Sequence, residues 1–546
     1  MAKINILALG GLDEKQRRLY VLEIDSKIFI FDSGVYEPLN NNFGIQHFVP
    51  NIDYLSLNKD KIKAVFLSSA NRMNIGSLKQ LVNLKKNLKI YGSKSTLDSL
   101  KIFFGEESNY WNKNEIQKNQ KIKISEFNVE AIALPSIIPG TFGYKIETNN
   151  GNILYFSDYI FDSIKEYRIS PIDQLISLTK EKNLLLLSDS SLATEKNPLS
   201  SQFRIRDIVS KYFKKQKRLI LTIYEDEILN IVELIKLCKE NKRKLFFKSR
   251  TLFNLINIFM QNGEIEKFPI KFYEPNFEEE HDAVIVLSGT RTKLYRTVEL
   301  LIEANNKKDF AFESDDNVCF LALPQPGNEH VFTDVTNKIS RVNLNFEKIS
   351  TEEKKLFGTT EFDIRNMVDL IKPKYFMPIS SYYTQLEAAK KIAIENRVDE
   401  KNIFIGDNGE VFTIKNEINE GLTYRVKEIE AKVVEENGEE IINHDLIEER
   451  KLIGKDGVLT ISFIYNEKNL LISSDIDIQM KGVVISKGQE EIINKIKELI
   501  IDYSDKSFEK KQSIKKVIPS LKKEIHKICR SNFKKVPQLL FNIMEM

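Results

Sequence analysis

The sequence predicts an α/β protein of several domains, and three observations carry that prediction. Residues 4–9, 19–24 and 28–32 are short apolar runs separated by Gly10-Gly11 and by Asp25-Ser26-Lys27, the pattern of a β-meander. Residues 64–67 form another apolar run, which Ser69, Ala70 and Asn71 break. Ile75, Leu78 and Leu81 then follow at helical spacing, so the segment reads strand, polar loop, helix. From about Arg204 the pattern becomes a regular alternation. Strands over 218–223 and 244–247 are interleaved with helices over 228–238 and 252–260, as in a parallel α/β unit.

Composition bounds the possibilities. A chain of 546 residues holds about three domains, and 42% hydrophobic residues are enough to build their cores. The net charge is only +3, so there is no global basic field and nucleic acid must be met by local patches. Cys238, Cys319 and Cys529 lie far apart with no metal or redox spacing, which suits a reducing cytoplasm. The first apolar run is too short for a signal peptide or a membrane span, so no membrane partner is expected. Histidine is scarce. His47, His281, His330, His444 and His526 form none of the close pairs that a histidine-rich zinc site uses.

The remaining elements fall in order. Residues 89–92 form a strand, residues 120–162 return to strands, and 184–187 is a buried strand leading into Ser188-Asp189-Ser190-Ser191. Another apolar strand spans 283–287, and residues 403–411 carry the Asn408-Gly409 turn signal of a hairpin. Between Glu428 and Glu449 nine acids stand against the single base Lys432, so the segment reads as a solvated connector with strand pieces about Gly438. From Gly457 a small α/β domain follows, with strands over 458–465 and 470–472 and a helix over 490–501. A basic helix comes next. Residues 506–535 hold eleven Lys and Arg against Glu509 and Glu524, a solvated face or a contact surface for phosphate or a partner.

Several motifs resemble those of ribonuclease J, a metallo-β-lactamase-fold nuclease of the β-CASP group. Asp32-Ser33-Gly34 resembles the family's Asp-Ala-Gly, and residues 51–57 its Pro-Asp-x-x-Tyr-Leu segment. Residues 136–143 lie on His-Ser-Ile-Pro-Asp-Ser-Phe-Gly, and residues 157–162 resemble Gly-Asp-Phe-Lys-Phe-Asp. Pro326-Gly327-Asn328-Glu329 repeats a family motif, residues 355–360 lie on His-Val-Ser-Gly-His-Ala, and residues 373–382 on Pro-Lys-Tyr-Phe-Ile-Pro-Ile-His-Gly-Glu. The ending Ile543-Met544-Glu545 resembles the family's own. The metal-binding loop Thr-His-Gly-His-x-Asp-His-Ile-Gly keeps its frame but reads Ser68-Ser69-Ala70-Asn71-Arg72-Met73-Asn74-Ile75-Gly76.

The resemblance implies a metallo-β-lactamase αββα sandwich with an inserted β-CASP α/β domain and a small C-terminal α/β domain. The expected boundaries are 1–203 and 346–420 for the sandwich and 204–345 for the insertion. An acidic linker is expected over 421–456, and a C-terminal oligomerisation domain over 457–546. Family members hold two zinc or manganese ions that activate a hydroxide against a phosphodiester. Their ligand positions fall on Ser69, Asn71, Met73, Asn74, Ser136, Asp158 and Ser380, of which only Asp158 is a good ligand. The expectation is therefore no catalytic residue, no metal cofactor, and a cap or loop-orienting role for Asp158, as for Asp32 and Asp189. Lys355, Gly358, Thr359 and Thr360 lie on the loop that would touch an RNA phosphate. The expected function is that of a non-catalytic, cytoplasmic subunit that binds RNA and a catalytic ribonuclease J paralogue, as a homo- or hetero-oligomer, in RNA processing and decay. The alternatives are a weak metal-dependent exo- or endoribonuclease with a rebuilt site, and a stand-alone RNA-binding protein. A replacement nucleophile from Ser69, Asp158 or Asp189 would have no histidine near it in sequence to activate it.

Overall fold

The computed structural model describes residues 3–38, 45–161, 171–196, 205–214, 217–273, 282–303, 310, 312–313, 316–324, 327–342, 344–349, 357–427, 429–435, 440–441, 444–466, 471–472, 476–483, 489–509 and 514–545. The meander Lys3–Gly10, Leu19–Ile24 and Lys27–Phe31 pairs antiparallel throughout. It forms the middle of an eight-stranded sheet, flanked by Glu410–Lys415 and Ile418–Arg425 on one side. On the other side Ile62–Phe66, Ile90–Gly92 and Lys113–Glu115 add in parallel.

A six-stranded sheet lies against it, in the order Tyr375–Ile379, Asn183–Asp189, Gly151–Phe156, Phe142–Thr148, Phe127–Ala133, Lys121–Ile124. Strand alternation builds three layers of core from these two sheets. Ile4, Ile6 and Ala8 point inward, to a core shared with Phe29, Phe66, Tyr144, Tyr155 and Met377. Leu7 and Leu9 point outward, to Leu78, Leu81, Leu97 and Leu100 of the covering helices. On the far face Leu154, Leu186 and Phe376 pack against Met367, Val368 and Ile392. This is an αββα sandwich.

The third sheet is wholly parallel, in the order Ile270–Phe272, Leu245–Phe247, Val284–Gly289, Leu219–Tyr224, Asn317–Phe320, Asn345–Lys348. Its central strand is buried along its full length, because helices cover both faces. It lies in sequence between Asn183–Asp189 and Tyr375–Ile379, two strands that pair with each other in the sandwich. The parallel unit is therefore an insertion between neighbouring strands of the host sheet. The helix Arg250–Gln261 begins where Ser249 accepts a hydrogen bond from the Leu252 N–H, a side-chain N-cap.

The chain divides into two compact units near Glu440. In the second, Val458–Asn466 lies between Asp477–Lys481, antiparallel, and Gln538–Glu545, parallel. Helices Gln489–Glu509 and Ile514–Phe533 cover this sheet through Ile496, Ile500, Leu521, Ile525 and Cys529. The acidic stretch carries strand pieces on both sides of Gly438, Lys432–Glu435 and Glu440–Ile441, and adds a helix. Lys432–Glu435 pairs with Ile45–Val49, and His444–Asp456 is a helix. Asp456 accepts the Val536 N–H, and Lys535 Nζ donates to the Lys455 carbonyl, so that helix is tied to the final strand. None of the described helices is long and apolar enough to cross a membrane.

Where the insertion meets the sandwich, Asn262 Nδ2 donates to Ser95 Oγ and to Asp98 Oδ2, both at 3.0 Å. Glu264 lies beside them, its carboxylate so close to Gly140 that a Cβ there would fall 2.3 Å from Glu264 Oε1. Burial, with Asp98 adding, pushes the Glu264 carboxyl up to about 7. A raised carboxyl holds its proton in the folded state, so its contribution to stability is full below about pH 4.5 and is lost as pH rises through 7. Glu264→Gln is expected to be more stable than wild type by about 1–3 kcal/mol at pH 8, with the gap closing by pH 5. Thermal melts at the two pH values check this, and an equal gap at both would refute it.

Candidate functional site

The site forms at the carboxyl ends of strands from both sheets of the sandwich, and Asp32 is its anchor. Fully buried, Asp32 accepts the Ser68 N–H at 2.8 Å, the Ser68 hydroxyl, Asn74 Nδ2 at 2.8 Å and the Tyr155 hydroxyl at 2.6 Å. Burial pushes its carboxyl up to about 6, against the pull of these donors. Asn71 caps the short helix Arg72–Ile75 by accepting the Met73 N–H at 3.0 Å. A Cβ on Gly34 would fall 1.7 Å from the Met73 carbonyl, so only glycine lets the two loops close this tightly. Asp32, Asp158 and Ser380 all hold left-handed backbone, with φ of 59°, 53° and 62°. Such conformations persist only where the surrounding structure enforces them.

At the centre stands a residue that sequence reasoning missed. Arg18 enters at the start of the second meander strand and is 2% exposed. Its Nη1 donates to Asp158 Oδ2 at 2.5 Å and to Ser157 Oγ at 3.1 Å, and lies 3.5 Å from Asn74 Oδ1. Its Nη2 lies 3.7 Å from Asp189 Oδ2, and its Nε donates to the Lys15 carbonyl at 3.2 Å. Burial alone would lower the guanidinium pKa, but Asp158 and Asp189 overcome that and hold it charged. Asp189 is raised by burial, with Arg18 pulling it back. Asp189 also accepts the Asp158 and Ser191 N–H groups, so it orients the loop. Asp158 is not the cap or loop-orienting carboxylate expected from sequence; it is the partner of a buried cation. The one local signal for Arg18 is an arginine placed directly before an apolar strand.

Of the other expected positions, Ser380 and Ser136 are engaged in the framework. Ser380 Oγ lies 3.1 Å from the Tyr20 hydroxyl, which accepts the Ser380 N–H. Ser136 Oγ accepts the Ile138 N–H at 3.4 Å. Ser69 is fully buried and its hydroxyl has no partner among the described residues, a neutral group and not a charged ligand. Asn71 and Met73 face a cleft, away from the Arg18 cluster's contacts. Among the described residues no group of three or more His, Cys, Asp or Glu is arranged to hold a metal ion. With neutral side chains at six positions and a guanidinium against Asp158, the donor set does not fit a pair of zinc or manganese ions.

Lys355 lies outside the described residues. Thr359 Oγ1 donates to the Tyr159 carbonyl and Thr360 Oγ1 to Asp363 Oδ2, at 2.8 and 2.6 Å, and both threonines are buried. A Cβ on Gly358 would meet Ser191 Oγ at 2.7 Å. In this arrangement the loop's hydroxyls hold the chain together; a phosphate would have to displace these bonds.

Beside the site lies a cleft of about 430 Å³ between the sandwich loops and the insertion. Its walls are of mixed charge. Arg72 pairs with Glu37 at 2.7 Å, and Arg291 Nη1 donates to the Glu37 carbonyl. Glu225, Asp226 and Glu227, which follow the strand Leu219–Tyr224 of the insertion, also line the cleft. Burial, with Glu227 adding, pushes Asp226 up to about 6, and burial lowers Lys15.

An αββα sandwich interrupted by a parallel α/β unit, with its site at the strand ends, defines the metallo-β-lactamase fold of the β-CASP class. Comparison with known proteins narrows this. The profile described as "Ribonuclease J, beta-CASP domain" matches residues 216–339, and "Ribonuclease J C-terminal domain" matches 445–546. "Ribonuclease J2" of Bacillus subtilis is 26% identical over 517 residues, covering 91% of this chain and 90% of that protein. "Ribonuclease J 2" of Staphylococcus aureus is 23% identical over 567 residues, covering 100% and 98%. "Uncharacterized protein MG423" of Mycoplasma genitalium is 23% identical over 556 residues, covering 98% of each. Residues 216–339 and 445–546 thus match ribonuclease J domains, and the chain is similar to ribonuclease J proteins over most of its length.

Proposed function

We propose that this chain is a non-catalytic, cytoplasmic ribonuclease J-type subunit that binds RNA and a catalytic ribonuclease J in RNA processing and decay. One observation carries the reading. The carboxylate at the position of the family's metal-bridging aspartate, Asp158, is held at 2.5 Å by an arginine of the same chain. A two-metal centre makes its nucleophile by concentrating positive charge on a bound water. A guanidinium pairs with the carboxylate but has no open coordination position for water, so it cannot supply that chemistry. The neutral side chains at the other six positions agree with this reading.

In this reading the sandwich occupies 1–203 and 346–420 and the insertion 204–345, and the C-terminal unit carries the partner interface. Because His444–Asp456 is tied to the final strand, the truncation that tests the interface ends near residue 439. Size-exclusion chromatography with light scattering should show the full chain co-eluting with a catalytic ribonuclease J and the truncated chain eluting apart. Full-length proteins that never co-elute would sink the subunit reading. The purified chain should also leave 5′-labelled single-stranded RNA intact in Mn²⁺. It should bind that RNA weakly, with affinity falling as salt rises, since the cleft walls are of mixed charge and the net charge is +3. Mn²⁺-dependent cleavage lost in Asp158→Ala would establish the weakly active alternative instead.

A further inference from the structure

We propose that Arg18 is a resident cation that closes this site, and that removing its side chain opens a site for a divalent cation. The proposal rests on the non-catalytic reading but is tested separately from it. The guanidinium is surrounded by oxygens from four separate segments: the Lys15 carbonyl, Asn74 Oδ1, Ser157 and Asp158, and Asp189 Oδ2. These segments are the loop before the second strand, the short helix Arg72–Ile75, and the ends of strands Gly151–Phe156 and Asn183–Asp189. The side chains of Asp158 and Asp189 are only 14% and 1% exposed, so their charges need a partner inside the protein. Arg18 is the only cation within ion-pair distance of them among the described residues.

An arginine suits the place for geometric reasons. Its planar fork lets Nη1 reach Asp158 while Nη2 faces Asp189, which a single ammonium point does less well. It brings its charge on the chain, so no ion has to be bound from solution. With the fork in place, an added dication would lie directly against a buried positive charge. Without it, two carboxylates, an amide oxygen, a hydroxyl and a backbone carbonyl remain around one void. That is an all-oxygen set of the kind that hard divalent ions such as Mn²⁺ accept.

Thermal melts of the whole chain, with and without MnCl₂, test this. Wild-type Tm should not respond to Mn²⁺. Arg18→Ala should melt lower by about 5 °C or more, because the two carboxylates are left buried without a partner. Mn²⁺ at about 100 times its Kd should then raise the variant's Tm by about 5 °C or more, with one ion per chain by calorimetric titration. Methylguanidinium at low millimolar concentration should restore part of the same loss. If Arg18→Ala does not fold, the triple variant Arg18→Met, Asp158→Asn, Asp189→Asn should fold, since it removes the cation and the need for one together. Four results would each overturn the proposal: wild-type Tm in Arg18→Ala, a destabilised variant that neither Mn²⁺ nor methylguanidinium restores, a triple variant that also fails to fold, or Mn²⁺ stabilisation of wild type that depends on Asp158. All these readouts are stabilities or ion binding. A wild type that cleaves RNA but ignores Mn²⁺ in melts would therefore refute the non-catalytic reading and leave the role of Arg18 standing.

Discussion

Asp32→Ala should destabilise the sandwich by about 3–5 kcal/mol, a fall in Tm of roughly 10 °C. The carboxylate receives donors from three residues: Ser68 through both its N–H and its hydroxyl, Asn74 through its amide, and Tyr155 through its hydroxyl. All of these are buried, so alanine leaves the Ser68 N–H and the Tyr155 hydroxyl facing a void with no water to replace the acceptor. The left-handed backbone of Asp32, at φ 59°, also suits an aspartate better than an alanine. Asp32→Asn should lose less, because its carbonyl oxygen still accepts while its NH₂ opposes the remaining donors. Asn74 is shared between Asp32 and Arg18, so the alanine variant should also loosen the Arg18 cluster. Limited proteolysis should then cut within residues 68–76 before other parts of the sandwich. A melt within 3 °C of wild type would contradict the assignment of Asp32 as anchor.

The second large effect belongs to the insertion. Asp316→Ala should cost that unit about 3–5 kcal/mol, because it removes a bidentate, charge-assisted pair of hydrogen bonds from a buried guanidinium. Arg218 Nε donates to Asp316 Oδ1 at 2.6 Å and Nη2 to Oδ2 at 2.5 Å, a bidentate pair with Asp316 fully buried and Arg218 nearly so. The pair sits just before Leu219–Tyr224 and Asn317–Phe320, which run parallel, and sets their register from Leu219 opposite Asn317. Glu313 also lies 3.4 Å from Arg218 Nη1 and is half exposed, so its pairing is the weaker one. The double variant Arg218→Met, Asp316→Leu should recover most of the loss, because two apolar side chains need no partner. Urea denaturation of the single and double variants checks this. A double variant no more stable than Asp316→Ala would mean the pair does something other than neutralise itself.

What sequence alone determined was the part of this protein that local pattern controls. The short apolar runs over 4–9, 19–24 and 28–32 foretold the meander, while the burial of Ile4, Ile6 and Ala8 on one face and of Leu7 and Leu9 on the other was decided by what packs against the sheet. The helix and strand alternation after Arg204 foretold a parallel unit, each period being a property of its own segment. The changed side chains along residues 68–76 were equally legible, being plain identities. At the acidic stretch the strand pieces expected about Gly438 are present, while composition gave no signal for the helix His444–Asp456, because charge on a solvent face does not forbid a helix. The roles of the site residues were decided only in three dimensions. Asp32, Asp158 and Asp189 are alike as isolated aspartates. One gathers neutral donors, one takes the guanidinium, and one does both jobs in part, according to which strand ends the two sheets bring together. Arg18 lies 140 residues from Asp158, and nothing local specifies that pairing. A buried charge takes its partner from whatever the fold places within reach. For this chain the fold places one arginine within reach of both Asp158 and Asp189.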